Sequence, residues 1–386
     1  MSPAFLPPPG SEPQPDDAPF LRRALELAEA GEGLASPNPL VGAVIVGQGR
    51  VLGEGTHTYA GVRHAEVLAL EQAGRAARGA TLYLNLEPCC HQGRTGPCAE
   101  ALIEAGVARV VSGLRDPNPC VSGRGFARLR EAGIEVEEGV LGEECRRLNE
   151  HFARYIRGGV FVTLKGAMTL DGRIAAPENS AGHSWITGEA ARAYVHRLRH
   201  RHDALVSGVG TVLADDPLLT DRSGLPRRRP LLRVVMDSAL RIPPESRLVG
   251  SAQGDLLVVC GAGAPAARAQ ALEKRGVEVL RLGEAGAGSR PPWPALLEAL
   301  RRREITSVLL EAGSALNAAA LESGVVDKLA LFYAPKLLGG EDAVPLFGGR
   351  GFRTLQGACS VRITELQRIG EDFLLEGYLR DVYGDY

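Results

Sequence analysis

The sequence has little of what marks several classes of protein. No apolar run approaches the roughly 20 residues that a membrane-spanning helix needs, so no membrane span is expected. The formal net charge is only −2, which gives no general attraction to nucleic acid or to an anionic membrane. Seven cysteines in 386 residues are too few for a disulfide-stapled fold. We therefore expect a globular protein with neither a membrane nor a nucleic-acid partner.

The N-terminal residues 1–16 are rich in proline and lack the apolar segment of a signal peptide. We expect them to form a disordered tail, and we expect the protein to be cytoplasmic, where thiols stay reduced. Ordinary buried thiols then explain the four scattered cysteines, namely Cys120, Cys145, Cys260 and Cys359. The other three cysteines are clustered and need a different explanation.

A length of 386 residues exceeds what a single core usually supports, so two domains are expected. Residues 17–150 alternate short strands with helices, and "LVGAVIVGQGRVLGEGTH" predicts a β-hairpin, which together indicate an α/β domain with helices on both faces of a sheet. We place a linker at 151–159 and a second domain at 160–386. Short apolar runs in that domain, such as "LLRVVMDS" and "DLLVVC", are typical of buried parallel strands.

The clustered cysteines lie in "EPCCHQGRTGPC" at 87–98, downstream of the tripeptide "HAE". His64 and Cys98 each begin a predicted helix, and Cys89 follows a predicted strand beside Cys90, so these side chains can converge. One histidine and two cysteines leave the fourth tetrahedral position open for water, as in catalytic zinc sites. Glu66 can reach that water as a proton shuttle. A surface helix explains "HAE" alone, but the whole pattern is that of zinc-dependent deaminases.

The spacing of these cysteines narrows the class. Eight residues separate Cys89 from Cys98, whereas deaminases of cytidine and of tRNA adenosine mostly show P-C-x-x-C. The stretch "EPCCHQGRTGPC" resembles the deaminase domain of the bifunctional riboflavin-biosynthesis deaminase/reductases (the RibD family), as do "SPNPLVGAVIV", "GEGTHTYAGVRHAE" and "DPNPCVSGRG". The residue roles that this resemblance implies are zinc binding by His64, Cys89 and Cys98, catalysis by Glu66, and pyrimidine binding by Asn38 and His57. Cys90 is then a bystander, and His91 belongs to a substrate loop.

The second domain lacks G-x-G-x-x-G after its first strand, so a standard Rossmann dinucleotide site is not supported. Instead, "EAGSALNAAAL" at 311–321 sets a Gly-Ser turn at a helix N-terminus, where free backbone N–H groups can bind phosphate. On its own this signal is weak, because many strand–helix junctions look alike.

Five stretches of the second domain, "LKGAMTLDGRIA", "SWITG", "GTVLADDPLLTDR", "VVMDS" and "LEAGSALNAAAL", resemble the reductase domain of the same family. The resemblance implies a cytidine-deaminase-like α/β/α domain followed by a dihydrofolate-reductase-like α/β domain. The residues that it implies for NADPH binding are Ala167, Trp185, Thr211, Asp215, Ser238, Gly313, Ser314, Ala315, Leu316, Asn317, Ala318 and Ala319. Those that it implies for the phosphoribosyl substrate are Ser184, Arg199, Leu219, Arg222 and Glu311. Lys165 and Asp215 are candidate proton donors.

The resemblance implies two successive reactions on a small phosphoribosylaminopyrimidine. The first is the zinc-dependent hydrolytic deamination of 2,5-diamino-6-(5-phosphoribosylamino)pyrimidin-4(3H)-one to 5-amino-6-(5-phosphoribosylamino)uracil, and the second is the NADPH-dependent reduction of its ribosyl group to ribityl. The alternative is a nucleic-acid or nucleobase zinc deaminase with an accessory, non-catalytic second domain. The slightly acidic charge balance and the cysteine spacing disfavour it. A homo-oligomer is expected.

Two basic stretches of the second domain are predicted to be exposed to solvent. The run "PRRRP" at 226–230 lies between prolines and predicts a solvated loop. His196 and His200 are four residues apart on a predicted helix, a spacing that can bind a metal. Because arginines alternate with them and no third ligand is evident, a solvated basic face is the better prediction.

Overall fold

A computed structural model describes residues 17–92, 96–176, 185–283 and 290–384. The predicted tail at 1–16 and the predicted substrate contact Ser184 therefore lie outside the described residues. The chain divides into two compact units, Met1–Arg157 and Gly158–Tyr386. Most of the stretch expected as a linker is helical, because the last helix of the first unit continues to Ile156. No helix in the described part of the chain is long and apolar enough to cross a membrane.

The first unit is built on a five-stranded sheet in the order β2-β1-β3-β4-β5. Its elements are α1 (Asp17–Glu29), β1 (Gly42–Gly47), β2 (Arg50–Thr56), α2 (Ala65–Ala73), β3 (Thr81–Leu84), α3 (Cys98–Ala105), β4 (Arg109–Ser112), α4 (Arg124–Glu131), β5 (Glu135–Glu138) and α5 (Gly142–Ile156). Strand β1 is antiparallel to both of its neighbours, and β3, β4 and β5 are parallel. Gln48 and Gly49 turn the β1–β2 hairpin with positive φ angles, which matches the predicted hairpin.

Helices cover both faces of this sheet, as the sequence predicts. Leu21 and Ala24 of α1 pack with Val44 on one face. On the other face, a Cβ at Gly55 would lie 2.0 Å from the carbonyl oxygen of Ala65, so only glycine lets β2 approach the first turn of α2 this closely. The sheet thereby fixes the start of α2, where the sequence places a metal ligand and a catalytic acid.

The second unit contains a nine-stranded sheet in the order β11-β10-β9-β8-β12-β6-β13-β16-β15 and a small pair, β14-β7. Its strands are β6 (Phe161–Thr169), β7 (Arg173–Ala175), β8 (Ala204–Gly208), β9 (Leu232–Met236), β10 (Leu256–Gly261), β11 (Glu278–Leu282), β12 (Ser307–Leu310), β13 (Lys328–Ala334), β14 (Val344–Pro345), β15 (Arg362–Ile369) and β16 (Asp372–Tyr378). Its helices are α6 (Glu189–Arg201), α7 (Val209–Asp215), α8 (Arg247–Gly250), α9 (Ala266–Glu273), α10 (Trp293–Arg301) and α11 (Ser314–Glu322). From β11 to β13 the neighbouring strands are parallel, and β16 and β15 then run antiparallel.

The parallel strands are the apolar runs of the sequence. Every residue of β10 and of β12 is buried, which is the pattern of strands covered on both faces. Candidate site residues follow the carboxyl ends of these strands, with Glu311 directly after β12 and Ser238 shortly after β9. In open parallel sheets, ligands bind at this edge.

The prediction of a solvated "PRRRP" loop is wrong. The guanidinium of Arg227 is largely buried and donates hydrogen bonds of 2.7–3.0 Å to the carbonyl oxygens of Arg199, His200 and His202. These carbonyls lie at the end of α6, where a helix leaves its last acceptors without intrahelical partners. Arg227 of this basic run therefore caps the C-terminal end of α6.

The predicted basic face of α6 is only partly solvated. His200 is buried, and its Nδ1 lies 3.1 Å from the carboxylate of Asp221. His196 is half-buried, and its Nδ1 accepts a hydrogen bond from the backbone N–H of Arg222 at 3.3 Å. The two histidines therefore contact different residues of the loop that follows α7.

Candidate zinc centre and reductase site

His64, Cys89 and Cys98 come together in the first unit. His64 precedes α2, Cys89 lies in the loop after β3, and Cys98 is the first residue of α3. His64 Nδ1 lies 3.1 Å from Cys98 Sγ and 3.5 Å from Cys89 Sγ. One ligand atom from each residue lies within 4.8 Å of the other two. The starts of α2 and α3 and the loop after β3 thus converge on one point.

These distances fit a zinc ion. With Zn–S near 2.3 Å and Zn–N near 2.1 Å, tetrahedral ligands lie roughly 3.5–3.8 Å apart, close to the separations found here. Two sulfurs and one imidazole nitrogen are also a donor set that suits zinc, and the fourth position stays open. The chemistry of the three side chains therefore fits a catalytic zinc site.

The two cysteines of this group do not ionise alike. A hydrogen bond from the Cys98 thiol, opposed by burial, lowers the pKa of Cys89 to about 4. The same hydrogen bond, together with burial, raises the pKa of Cys98. The backbone N–H of Cys98, at the start of α3, also points to Cys89 Sγ at 3.4 Å. The hydrogen bonds from the Cys98 thiol and from its backbone N–H thus favour the thiolate form of Cys89.

Glu66 lies in the first turn of α2, two residues after the histidine ligand, and is buried. Burial raises the pKa of its carboxyl, and the charge of Cys89 adds to the effect. A buried carboxyl with a raised pKa can hold a proton that an ordinary glutamate would release. This is the property that a proton shuttle needs.

Asn38 and His57 form one unit beside the ligands. His57 Nδ1 lies 3.0 Å from the carbonyl oxygen of Arg63, which can only accept, so Nδ1 carries the proton. His57 Nε2 then accepts a hydrogen bond from the Asn38 amide at 3.0 Å. The rings of His57 and His64 are 5.3 Å apart and nearly perpendicular. Of the two residues that the resemblance assigns to the pyrimidine pocket, His57 thus lies next to the predicted ligand His64, and Asn38 is hydrogen-bonded to His57.

The neighbours of Cys89 are outside the cluster. Cys90 does not belong to the group of converging ligands, and burial followed by the charge of Glu87 raises the pKa of its thiol. His91 is exposed. Of these three adjacent residues, Cys89 alone converges with His64 and Cys98, and its role as the ligand remains a prediction.

Sequence reasoning missed two buried carboxylates near this site. Glu87 is 3% exposed and accepts hydrogen bonds from four backbone N–H groups. Asp116 is buried as well, and burial raises its pKa to about 7, with the charge of Glu87 contributing. Both residues lie in quoted motifs, "EPCC" and "DPNP", but only the fold buries them.

In the second unit, three charged side chains that are far apart in the sequence meet at the carboxyl end of β12. Arg199 Nε and Nη2 donate to the two carboxylate oxygens of Glu311 at 2.7 and 3.0 Å. Lys165 Nζ lies 3.7 Å from the same carboxylate. Burial alone would raise the pKa of Glu311, but the charges of Arg199 and Lys165 bring it down to about 2. Burial lowers the pKa of Lys165, and Glu311 partly offsets this effect.

The residues predicted to contact the phosphoribosyl group differ in how directly they connect to this cluster. Arg199 Nη1 donates to the carbonyl oxygen of Thr220 at 2.9 Å, beside Leu219. Leu219 is buried with a φ of 54°, a left-handed conformation that is costly for leucine and is more frequent at functional sites. Arg222 is exposed, with its backbone held by His196.

The predicted NADPH turn is the start of α11, with Gly313 at its N-cap. Ser314 Oγ is buried beside Gly348 and finds no hydrogen-bond partner among the described residues. A Cβ at Gly313 would lie 3.8 Å from Thr211 Oγ1, so α7 and α11 meet here. The residues at this junction thus fit a bound phosphate.

The other residues predicted to contact NADPH differ in exposure and in position. Trp185 is 62% exposed, and its backbone carbonyl accepts a hydrogen bond from Lys336. Ala167 is on β6, and Asp215 is exposed at the end of α7. Asn317 is buried and donates to the carbonyl oxygen of Ala312 at 3.0 Å, a contact that holds α11. The role of each remains a prediction.

Comparison with known proteins identifies both units. The cytidine and deoxycytidylate deaminase zinc-binding region matches residues 14–114, and the RibD C-terminal domain matches residues 160–375. The chain is 43% identical over 361 residues to riboflavin biosynthesis protein RibD of Actinobacillus pleuropneumoniae, which covers 93% of this chain and 94% of that protein. The chain belongs to the RibD family. RibD of Synechocystis sp. is 44% identical over 367 residues and covers 94% of this chain.

Solved RibD structures share the fold over nearly the whole chain. RibD of Acinetobacter baumannii superposes with a TM-score of 0.80 at 37% identity, covering 94% of this chain and 98% of that one. A deaminase/reductase of Thermotoga maritima gives a TM-score of 0.78 at 35% identity. The predicted fold class is confirmed: a deaminase domain precedes a reductase domain.

Like other members of the RibD family, the chain is a bifunctional enzyme of riboflavin biosynthesis, with a zinc-binding deaminase domain and an NADPH-dependent reductase domain. The alternative of an accessory, non-catalytic second domain is not supported, because residues 160–375 match the RibD reductase.

Proposed function

We propose that this chain deaminates 2,5-diamino-6-(5-phosphoribosylamino)pyrimidin-4(3H)-one and then reduces the ribosyl group of the resulting 5-amino-6-(5-phosphoribosylamino)uracil to ribityl. The Thermotoga maritima relative bears the names of these two activities. The observation that carries the proposal is the convergence of His64, Cys89 and Cys98 within 4.8 Å, with Glu66 buried two residues after His64.

In the first step, a water molecule replaces the 2-amino group, which leaves as ammonia. Zinc, when bound by His64, Cys89 and Cys98, acts as the Lewis acid that activates the water. Glu66 takes a proton from the water and returns it to the leaving amino group. Asn38 and His57 bind the pyrimidine ring, and their mutual hydrogen bond keeps both polar groups in a fixed orientation.

In the second step, C1′ of the ribose accepts a hydride, which NADPH would supply when bound, and the ring oxygen takes up a proton as the ring opens. The start of α11, with Gly313 at its N-cap, would bind a phosphate of the cofactor through backbone N–H groups. Lys165 supplies the proton, rather than Asp215, because it is buried beside Glu311 and burial lowers its pKa. The other cofactor and substrate contacts follow those that the resemblance implies.

Separate assays test the two steps. Zinc content is measured in the purified chain, ammonia release with the diamino substrate, and NADPH oxidation with the deaminated substrate. One equivalent of zinc and both activities are expected. Ammonia release without NADPH oxidation would limit the function to the first step, and the reverse result would limit it to the second.

We also propose that the chain works as a homo-oligomer in the cytoplasm. Strand β15 ends the nine-stranded sheet, and its Ile363 and Leu366 are 60% and 68% exposed. Apolar side chains on an edge strand are a common contact between subunits. Cysteines that all remain free are suited to a reducing compartment. Light scattering of the wild type and of a double Ile363→Lys, Leu366→Lys variant tests the oligomer, which the variant should lose.

A further inference from the structure

The segment that leaves β3 carries alternating polar side chains, each of which holds a different part of the deaminase domain. Asn85 is buried, accepts from the backbone N–H of Gly42 at 2.9 Å and donates to the carbonyl oxygen of Leu40 at 2.8 Å. Cys89 meets the other two zinc ligands. Glu87 lies between them, and the deaminase chemistry described above gives it no task.

Glu87 is bound entirely through backbone donors. Its Oε1 accepts from Gly125 at 2.9 Å and from Phe126 at 3.2 Å, and its Oε2 accepts from Gly123 at 2.8 Å and from Asp116 at 3.1 Å. Gly125 and Phe126 are in the first turn of α4, and the other two precede it. An ionised carboxylate has about four lone-pair sites, so these donors fill its capacity. The positive end of the helix favours the charge.

This contact places α4 directly against the residue before Cys89. A Cβ at Gly125 would lie 2.1 Å from the carbonyl oxygen of Pro88, so no side chain fits between them. On the other side, the backbone N–H of Ala99 in α3 donates to the carbonyl oxygen of Cys89 at 3.1 Å. The Cys89 backbone is thus held between the starts of two helices.

We propose that Glu87 is a positioning residue of the zinc centre: its carboxylate fixes Pro88 and Cys89 against α4, so that Cys89 Sγ is preset to meet His64 and Cys98. The inference rests on the assignment of Cys89 as a ligand. Groups that orient metal ligands typically change metal affinity by about 10- to 100-fold when they are replaced.

Glu87→Gln in the full-length chain tests the role. The amide keeps the length of the side chain but turns one acceptor into a donor that faces two backbone N–H groups. Zinc affinity, measured by competition with a chelator at 20 °C, should fall about 10- to 100-fold. The absorption bands of the Co²⁺-substituted protein should shift, because one thiolate is displaced. Added zinc should restore much of the lost deamination, and NADPH oxidation should stay at the wild-type level.

Glu100→Gln is the matched control. Glu100 also connects to α4, through Arg128 at 2.7 Å, but this pair is solvent-exposed and lies on the surface. Its loss should leave zinc affinity and the Co²⁺ bands unchanged. A purely structural role of Glu87 would lower the unfolding temperature of Glu87→Gln and leave zinc affinity in the folded protein unchanged, and that result would overturn the proposal.

Glu87→Asp covers the case in which Glu87→Gln fails to fold. Aspartate keeps the charge at the start of α4 but is one methylene shorter, so it draws the loop out of position. A weaker zinc affinity supports the proposal, and wild-type affinity in this folded variant contradicts it. Cys89→Ser separates the two assumptions. If Cys89→Ser retains zinc, the ligand assignment fails; if it loses zinc while both Glu87 variants bind normally, only the positioning role fails.

Discussion

Arg199 and Glu311, 112 residues apart in the sequence, form a two-point ion pair with N–O distances of 2.7 and 3.0 Å at the edge of the reductase sheet. The family resemblance implies that both residues contact the phosphoribosyl substrate. The pair changes that expectation, because Nε and one Nη2 hydrogen are already taken by the carboxylate. Arg199 therefore also holds Glu311 and, through Thr220, the loop that contains Leu219.

Replacement of Arg199 by alanine should impair reduction alone. The change removes the two-point ion pair of Glu311, leaving Lys165 at 3.7 Å, and releases the carbonyl of Thr220. We expect KM for the deaminated substrate to rise by about tenfold or more, since the bidentate contact between the Arg199 guanidinium and Glu311 is lost. Stopped-flow NADPH oxidation measures the effect. Arg197→Ala, on the exposed side of the same helix, is the control, and an equal KM in the two variants would remove Arg199 from the site.

The same cluster predicts an acid-sensitive reductase domain. The pKa of Glu311 falls from 4.5 to about 2 in the folded chain. Such a group stabilises the fold fully above its unfolded pKa, and the stabilisation disappears as pH falls from about 4.5 toward 2. The shift corresponds to about 3 kcal/mol of unfolding free energy. Urea unfolding between pH 7 and pH 3, followed at the reductase domain, should show this loss in the wild type and a smaller pH dependence in Glu311→Gln.

Substitution of the adjacent residues Cys89 and Cys90 should have opposite effects on zinc binding. Cys89→Ser and Cys98→Ser should each lose zinc and deamination, because serine does not supply a thiolate. Cys90→Ser should keep both, since Cys90 lies outside the converging group. Elemental analysis of the three purified variants measures the outcome. Zinc retained by Cys89→Ser together with zinc lost by Cys90→Ser would exchange their roles.

Glu66→Gln should separate metal binding from proton transfer. Glutamine preserves the shape of the buried side chain but cannot accept and return a proton. Zinc should stay bound, and deamination should fall by about 10²- to 10⁴-fold, as is typical for the loss of a general acid–base group. NADPH oxidation with the deaminated substrate should be unchanged, because the variant lies in the other unit. Full ammonia release by Glu66→Gln would show that another group moves the proton.

Much of this protein could be predicted from local sequence. The apolar runs of β10 and β12 predict buried parallel strands because both faces of such strands are covered. The hairpin around Gln48 and Gly49 follows from turn chemistry. The convergence of His64, Cys89 and Cys98 could be predicted because His64 and Cys98 lie at helix starts and Cys89 follows a strand.

The contacts between distant segments could not be predicted in this way. Arg227 looks like part of a solvated basic run, but it caps the end of α6 because that helix leaves carbonyl oxygens unpaired. His200 looks like a surface residue and is buried against Asp221. In both cases the partner is separated from the residue in sequence, and local patterns carry no information about it.

The deaminase site contains both kinds of feature, those that local sequence predicts and those that depend on contacts between distant segments. The motif "HAE" and the two "PC" pairs suffice to predict which side chains bind zinc and shuttle the proton, since only a few side chains can perform this chemistry. The burial of Glu87 under the start of α4 and the pairing of Arg199 with Glu311 follow from the packing of distant segments and are visible only in the fold. A carboxylate is solvated or buried according to the segments that pack around it, and their approach is set by the whole fold.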